Sequence, residues 1–462
     1  DLDTGETLQV STGATANVDV VGDFTASSQT SNDSGTVTLT VADDVDVDLT
    51  AALVETTSDD GYTITAAGNT AASTLIGSDG NDSITGGDSG DTIQGLLGSD
   101  NVTGGTGNDQ FIYSSNDEIV GDTISGNAGT DTIVLDVAAA DYDFEDLLAQ
   151  VSGIERLDLT GDGTYTIDLG DSNNLLPASG NLEVARSNGS GAVDIDASAM
   201  TSNGVTIQGS DFGGNDTFDA GSDSTDVITF TENLGAAGSV NPSFAFNGGK
   251  LEITRSGETD TVSGFETLDF SDRDVLITGA SGFGDIKTAV DNATNGDAVL
   301  VNAASPITIA TANAIDTQSI EILNVNLTDI SDSSSAISGA DFTSAALTGI
   351  NSIDNTDGSQ ATLSAAELGT SAYTLANTGG GGFRVVGTQA ELAALDSSVY
   401  DDTDVTLVLR DTASNLDLNG SGANQLTVSE IDTLVSQGLD VVEVSGGGTP
   451  ELTIAQTRAF AN

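Results

Sequence analysis

Cysteine, histidine and tryptophan are all absent from this chain of 462 residues. Without Cys there can be no disulfide, no thiolate metal site and no Cys nucleophile. Without His the usual general base is missing, and so are Ser-His and Cys-His pairs and zinc sites with imidazole ligands. No stretch of 18 apolar residues occurs, so no segment reads as a membrane-spanning helix. Proline numbers 4 and aromatics make up 4%. That poverty suits short strands and tight turns better than a thick globular core. Basic residues number 9 against 72 acids, a net charge of −63. Such a chain repels nucleic acid and anionic membrane, so neither is expected as a partner, and no membrane insertion is expected.

The acids are mostly Asp, 56 against 16 Glu, and Gly is equally abundant at 56. Asp favours turns and is a compact oxygen ligand for hard cations. So much negative charge attracts divalent cations, and part of it is an ordinary solvated acidic surface. Position 1 is Asp, with no Met and no signal peptide, which leads us to expect a processed chain or a piece of a longer one.

A nine-residue period runs through "LIGSDGNDSITGGDSGDTIQGLLGSDNVTGGTGNDQFIY", Leu75 to Tyr113. Gly77, Gly86, Gly95 and Gly104 keep the step, as do Asp82, Asp91, Asp100 and Asp109. Ile84, Ile93, Val102 and Phe111 follow each Asp by two places. The apolar residue and its neighbours are strand-length, and the Gly-rich half is turn-length. Two strands and two turns then make an 18-residue coil, and coils stack at about 4.8 Å. Gly lets the backbone approach closely, so carbonyls can converge with Asp carboxylates into an oxygen cage that suits Ca2+. A plain Gly/Asp linker would have no need to keep four apolar residues in register. A metal-free solenoid would leave stacked carboxylates facing one another.

The flanking segments read as further coils. Residues 1–72 alternate, as in Val37, Leu39, Val41 and in Val45, Val47, Leu49. "GDTISGNAGTDTIVL" resumes the period with Asp122 and Asp131 after "SSNDEIV" interrupts it. "VSGIERLDLTG" at 151–161 returns as "VSGFETLDFSD" at 262–272, with a weaker copy at 347–357. A degraded Gly-Asp segment between them contains Asp216. From Gly282 the style changes to short helix then strand, and "LTIAQTRAFAN" at 452–462 starts such a unit without finishing it. Two coils cannot cover their own open faces, so the neighbours must continue them. The expected fold is mostly β: a parallel β-roll or β-helix (a β-solenoid) with short helices in the C-terminal third. The segments are 1–72 (β-rich), 73–136 (repeat roll), 137–280 (solenoid with the degenerate segment) and 281–462 (helix-strand repeats).

The period resembles the RTX (repeats-in-toxin) nonapeptide, GGxGxDxUx. That resemblance implies calcium held between turns one coil apart, with the Asp82 turn facing that of Asp100 and the Asp91 turn facing that of Asp109. The implied ligand set is Asp79, Asp82, Asp88, Asp91, Asp100 and Asp109 with Gly77, Gly80, Gly86, Gly95, Gly98, Gly104 and Gly107; Asp122, Asp131 and Asp216 are lesser candidates. Ser78, Leu96 and Ser89 depart from the repeat and put their sites in doubt. "GIERLDLTG" and "LVLRDTASNL" are similar to segments of large RTX-bearing surface-layer proteins and adhesins, and "GFGDIKTAVDNATNGDAVLV" looks like the capped entry of a right-handed β-helix.

The resemblance implies type I secretion and an extracellular, bacterial cell-surface location. The expected function is structural: a calcium-dependent surface-layer-like or filament-forming protein that self-associates, with cell-envelope glycans as a further expected partner. The alternatives are a segment of a giant RTX adhesin and, behind it, a module of a secreted RTX enzyme. No enzymatic activity is expected, since HExxH and GxSxG are absent and the seven Arg and two Lys are scattered. Arg156 and Lys250 read as surface or packing residues, and Tyr62, Tyr113 and Tyr373 as ordinary strand or turn aromatics.

Overall fold

In the computed structural model the chain forms two compact units, Asp1–Gly284 and Asp285–Asn462. The residues described are 1–54, 61–136, 140–143 (backbone), 150–161, 164–169, 182–186, 191–198, 204–208, 215–220, 226–230, 234, 242–255, 258–279, 282–347, 349–369, 373–395, 404–416 and 426–446.

The first unit is a β-solenoid. The alternation seen in the sequence becomes a stack of short parallel strands, with one side chain inward and its neighbours outward. One inward rank runs Phe24, Val47, Leu75, Ile93, Phe111, Ile133, Leu157, Val184, Ile207, Ile228, Leu268, each residue directly above the last. All of them are buried. A second rank, Leu39, Ile64, Ile84, Val102, Ile124 and Val151, lines the opposite sheet. The strands are only three or four residues long in most coils, as in Ser83–Thr85, Thr92–Gln94 and Gln110–Tyr113. One inward apolar residue per strand is therefore enough to specify register. A one-residue slip would put Thr or Ser inside and Ile outside.

The expected boundaries at 72/73 and 136/137 fall inside continuous sheets. Thr63–Thr65 pairs with Ser83–Thr85, and Thr132–Leu135 with Arg156–Leu159. They mark changes of turn chemistry within one stack. The apolar Ile119 of "SSNDEIV" is buried at the end of a four-residue helix, Asn116–Ile119, which fits into a turn and lengthens that coil.

Not every coil is parallel. Ser243–Asn247, Lys250–Arg255 and Glu258–Ser263 form an antiparallel meander, and Thr267–Phe270 pairs antiparallel with Arg273–Thr278. The signal was local. Gly248 and Gly249 both have positive φ between Asn247 and Lys250, the two-residue turn whose twist suits a hairpin.

In the second unit helix and strand alternate. Asp285 caps the helix Ile286–Asn292, its carboxylate accepting the Thr288 N–H at 2.8 Å. Strand Ala298–Val301 follows across a turn at Gly296, whose φ is +98°. The helices Gln389–Leu392 and Val428–Ser436 both begin with a Thr/Glu capping box, and lead to Val405–Thr412 and Leu439–Ser445. These strands belong to one parallel sheet in the order Ala361–Ser364, Phe383–Gly387, Val405–Thr412, Leu439–Ser445. "LTIAQTRAFAN" lies outside the described residues.

Because each coil touches only its neighbours, a cavity in a rank weakens two interfaces at once. Ile133→Ala is expected to cost about 2–5 kcal/mol, and Thr132→Ala on the outer face about 0.5 or less. Urea denaturation in saturating calcium measures the difference.

Candidate metal centre

The period's Asp is the last residue of each turn, immediately before the strand. That position aims its side chain inward, under the turn. Asp82, Asp91, Asp100, Asp109, Asp122, Asp131 and Asp216 are each at most 3% exposed. Seven carboxylates buried in one solenoid is an expensive arrangement unless each is bonded and neutralised.

The bonding is a ladder between coils. One oxygen of each carboxylate accepts the backbone N–H of the equivalent residue one coil back. Asp82 N–H donates to Asp100 at 2.7 Å and Asp91 N–H to Asp109 at 2.7 Å. Asp100 N–H donates to Asp122 at 2.7 Å and Asp109 N–H to Asp131 at 2.8 Å, both across 22 residues because of the inserted helix. Tyr62 and Ser73 N–H groups start the two ladders on Asp82 and Asp91. Two ladders therefore run up the two turn edges and pair the turns of Asp82 with Asp100 and of Asp91 with Asp109.

The second oxygen sorts the sites. Asp82 Oδ2 accepts the N–H of Ser78 at 2.6 Å and its hydroxyl at 3.1 Å, and Asp91 Oδ2 accepts Gly87 N–H at 2.6 Å. Asp122 Oδ2 accepts the Tyr113 hydroxyl at 3.2 Å. The second oxygens of Asp100, Asp109, Asp131 and Asp216 are buried with no hydrogen-bond partner. A buried carboxylate oxygen that nothing in the chain bonds is free to serve as a cation ligand, and an all-oxygen donor set suits calcium. No group of three acidic side chains converges among the described residues, so a cation held here would draw its further ligands from turn carbonyls or water.

The glycines explain themselves here. The first Gly of each repeat lies against its own Asp carboxylate: a methyl on Gly77, Gly86, Gly95, Gly104 or Gly126 would overlap Asp82, Asp91, Asp100, Asp109 or Asp131. At Gly86 and Gly126 it would also strike the carbonyl of the next coil, Gly104 and Gly153. Gly98 and Gly107 add positive φ, +141° and +131°, and crowd Gly80 and Ser89 one coil back. Gly80 is itself buried in its turn. The departures are absorbed. Leu96 takes a left-handed φ of +69° where the repeat has Gly, and Ser78 caps Asp82 with its hydroxyl. Asp79 and Asp88 stand apart from this set, with exposed side chains. Four ladder carboxyls were missed in the sequence. Glu155 accepts Asp131 N–H at 2.7 Å, Asp226 accepts Val205 N–H at 2.7 Å, and Asp260 and Glu266 extend the ladders at 3.2 Å. They lack the Gly-rich frame, but Glu155, Asp226 and Glu266 each directly precede a strand, and that placement was the available signal; Asp260 lies within Glu258–Ser263.

Burial pushes the Asp100 carboxyl up to about 8, Asp82 and Asp216 to about 7, and Asp109, Asp122 and Asp131 to about 6. Neighbouring carboxylates add to the rise, and the backbone N–H bonds oppose it.

The RTX calcium-binding nonapeptide repeat (4 copies) matches residues 67–102, 76–111 and 121–136. This chain carries RTX calcium-binding repeats, and they sit on the stretch where the two ladders are best formed. Comparison with curated proteins finds no match.

Two outcomes are expected. Without metal, each raised carboxyl holds its proton more tightly folded than unfolded, where Asp ionises near 4. That stabilising contribution is complete below about pH 4 and is lost as pH rises through about 6 to 8. Calcium takes the ionised form, so its apparent affinity should fall as pH drops from 8 to 6, with protons released on binding. Calorimetry in two buffers of different protonation enthalpy measures that release. Secondly, Asp100→Asn should raise the calcium midpoint of folding at least about tenfold, as the charged ligand is lost. Asp88→Asn, on an exposed side chain, should move it less than about twofold. Circular dichroism against calcium concentration reads both.

Proposed function

We propose that this chain is a secreted, calcium-ordered structural protein of the bacterial cell surface, and that copies of it associate into a layer or filament. The observation that carries this reading is the pair of buried carboxylate ladders with second oxygens left unbonded at Asp100, Asp109 and Asp131. A fold that buries its own negative charge in stacked rungs is a calcium-dependent scaffold. Extracellular calcium sites commonly have a Kd of about 10⁻⁴–10⁻³ M, so such a chain stays open where calcium is scarce and closes outside the cell. Each independent site at tenfold excess over Kd contributes about 1.4 kcal/mol.

Self-association is supported by one outer face. Outward residues of the sheet opposite the long rank form two rows: Thr38, Thr63, Ser83, Asn101, Thr123 and Thr40, Thr65, Thr85, Thr103, Ser125. Over these five strands neither row holds a charge, in a protein of net charge −63, and Asp19 follows only beyond Thr40. Two copies can meet there with little repulsion, and their rows share one repeat of about 4.8 Å. The lack of His and Cys supports a non-enzymatic role.

Electron microscopy of the protein with calcium and with chelator tests this reading. Ordered sheets or filaments that dissolve in chelator are expected, and monodisperse particles in both conditions would reject it. Thr65→Asp with Thr85→Asp should abolish assembly while leaving the calcium-dependent change in circular dichroism intact.

A further inference from the structure

The calcium reading raises a question about the coils outside the repeats, where joints between turns have the same geometry but no Gly-rich frame. The largest fully buried side chain of the described residues is Arg186, 2% exposed. It lies in the turn after strand Leu182–Ala185. Its guanidinium donates to Gly191 O at 2.8 Å in its own turn and to Gly161 O at 3.0 Å in the turn one coil back. The strands on either side of these turns pair in register. The guanidinium sits 5.5 Å from the Tyr165 ring centroid. The Tyr165 hydroxyl donates to Leu135 O at 3.2 Å and accepts Gly161 N–H at 3.1 Å. A cation bridging carbonyls of two stacked turns is the service that metal provides between RTX turns.

A second guanidinium meets a rung instead of turn carbonyls: Arg255 donates to Asp260 Oδ2 at 2.9 Å within the antiparallel meander, and the other oxygen of that carboxylate accepts Asp216 N–H. On the N-terminal side the donor is a neutral amide. Asn32, fully buried, bonds Gly35 O at 3.2 Å and Gly61 O at 2.8 Å, one coil on. Asn69 bonds Val41 O at 3.1 Å and Ala42 O at 3.0 Å, one coil back.

We propose that Asn32, Asn69 and Arg186 are built-in replacements for calcium at joints on either side of the rungs of 82–131, so that strands 36–41 and 63–65, and strands 156–159 and 182–185, hold together without metal and the calcium requirement is confined to the rungs of 82–131 and the Asp216 rung. Arg186 is the strongest case. Its planar fork reaches two carbonyls at once, which a lysine ammonium cannot do in the same geometry. Removing it strands two turn carbonyls inside the fold. Chelation should then open the middle of the stack and leave the flanks coiled. This inference rests on the calcium reading above but goes beyond it, since that reading is equally compatible with metal-dependent coils throughout.

Hydrogen exchange of the full chain, resolved by peptide, separates the two. In chelator, exchange in 83–112 should accelerate at least about tenfold, while 36–41, 156–159 and 182–185 keep their protection. Loss of protection through all coils together overturns this inference and leaves the calcium reading standing. A chain that ignores chelator everywhere overturns both. In saturating calcium, Arg186→Met should accelerate exchange in 156–168 and 182–196 at least about tenfold, with no rescue by more calcium. Arg186→Lys should restore only part of it. Unchanged exchange in Arg186→Met overturns the assignment; if that variant does not fold, the chelator comparison on the unaltered chain still decides.

Discussion

A carboxylate that accepts the backbone N–H of the coil behind it ties the first unit together. In the repeats the Asp side chain folds under its own turn, against a Gly five residues earlier that puts no Cβ in the way. The Asp also stands at the doorway of a strand, where the next-but-one residue is the inward apolar one. Gly, Asp and hydrophobe therefore recur together because they are three parts of one joint. Nine residues is the length that makes each joint face another of its kind across one coil.

The same bond creates the dependence on a cation. One oxygen of each carboxylate is used by the backbone, which fixes the group in a dry position. Where a Ser hydroxyl, a Tyr hydroxyl or a turn N–H meets the other oxygen, the rung is bonded within the chain, as at Asp82, Asp91 and Asp122. Where nothing does, the charge is buried and uncompensated, as at Asp100, Asp109 and Asp131. Protons and calcium are then competing solutions to one electrostatic problem. The raised carboxyl values and the calcium chemistry are two views of the same desolvation.

The repeats were legible because their signals are local. Alternation fixed which residues point inward, and the spacing of Gly and Asp identified the turns and their pairing one coil apart. What the sequence hid was decided by contacts distant along the chain. Asp79 and Asp88 belong to the motif by position yet point outward, while Asp82 and Asp91 point in; a run of acids does not show which face of a turn each will take. Arg186 looked like one scattered base among nine. Its burial depends on Gly161, 25 residues earlier, and on Tyr165 packing beside it. The antiparallel meander at 243–263 was within reach: Asn-Gly-Gly-Lys between two alternating runs is a hairpin signal.

A solenoid has no unique centre, so its response to calcium is set by how joints of different strength are ordered along the stack. Each coil is supported only by its neighbours, and opening therefore starts where the joints are weakest. Rungs with an unbonded carboxylate oxygen lie at Asp100, Asp109 and Asp131 and again at Asp216, with amide joints before the first three and a guanidinium joint between them and Asp216. The strength of the middle varies with calcium, and that of the flanks is fixed by the sequence. Such an order keeps register while the middle is open: the coils at either end still present Ile64 and Leu157 as templates, and the short strands between them have only one inward residue each to place. Calcium entry can then close the stack coil by coil onto preformed ends, without the entropy cost of nucleating a solenoid from a fully extended chain.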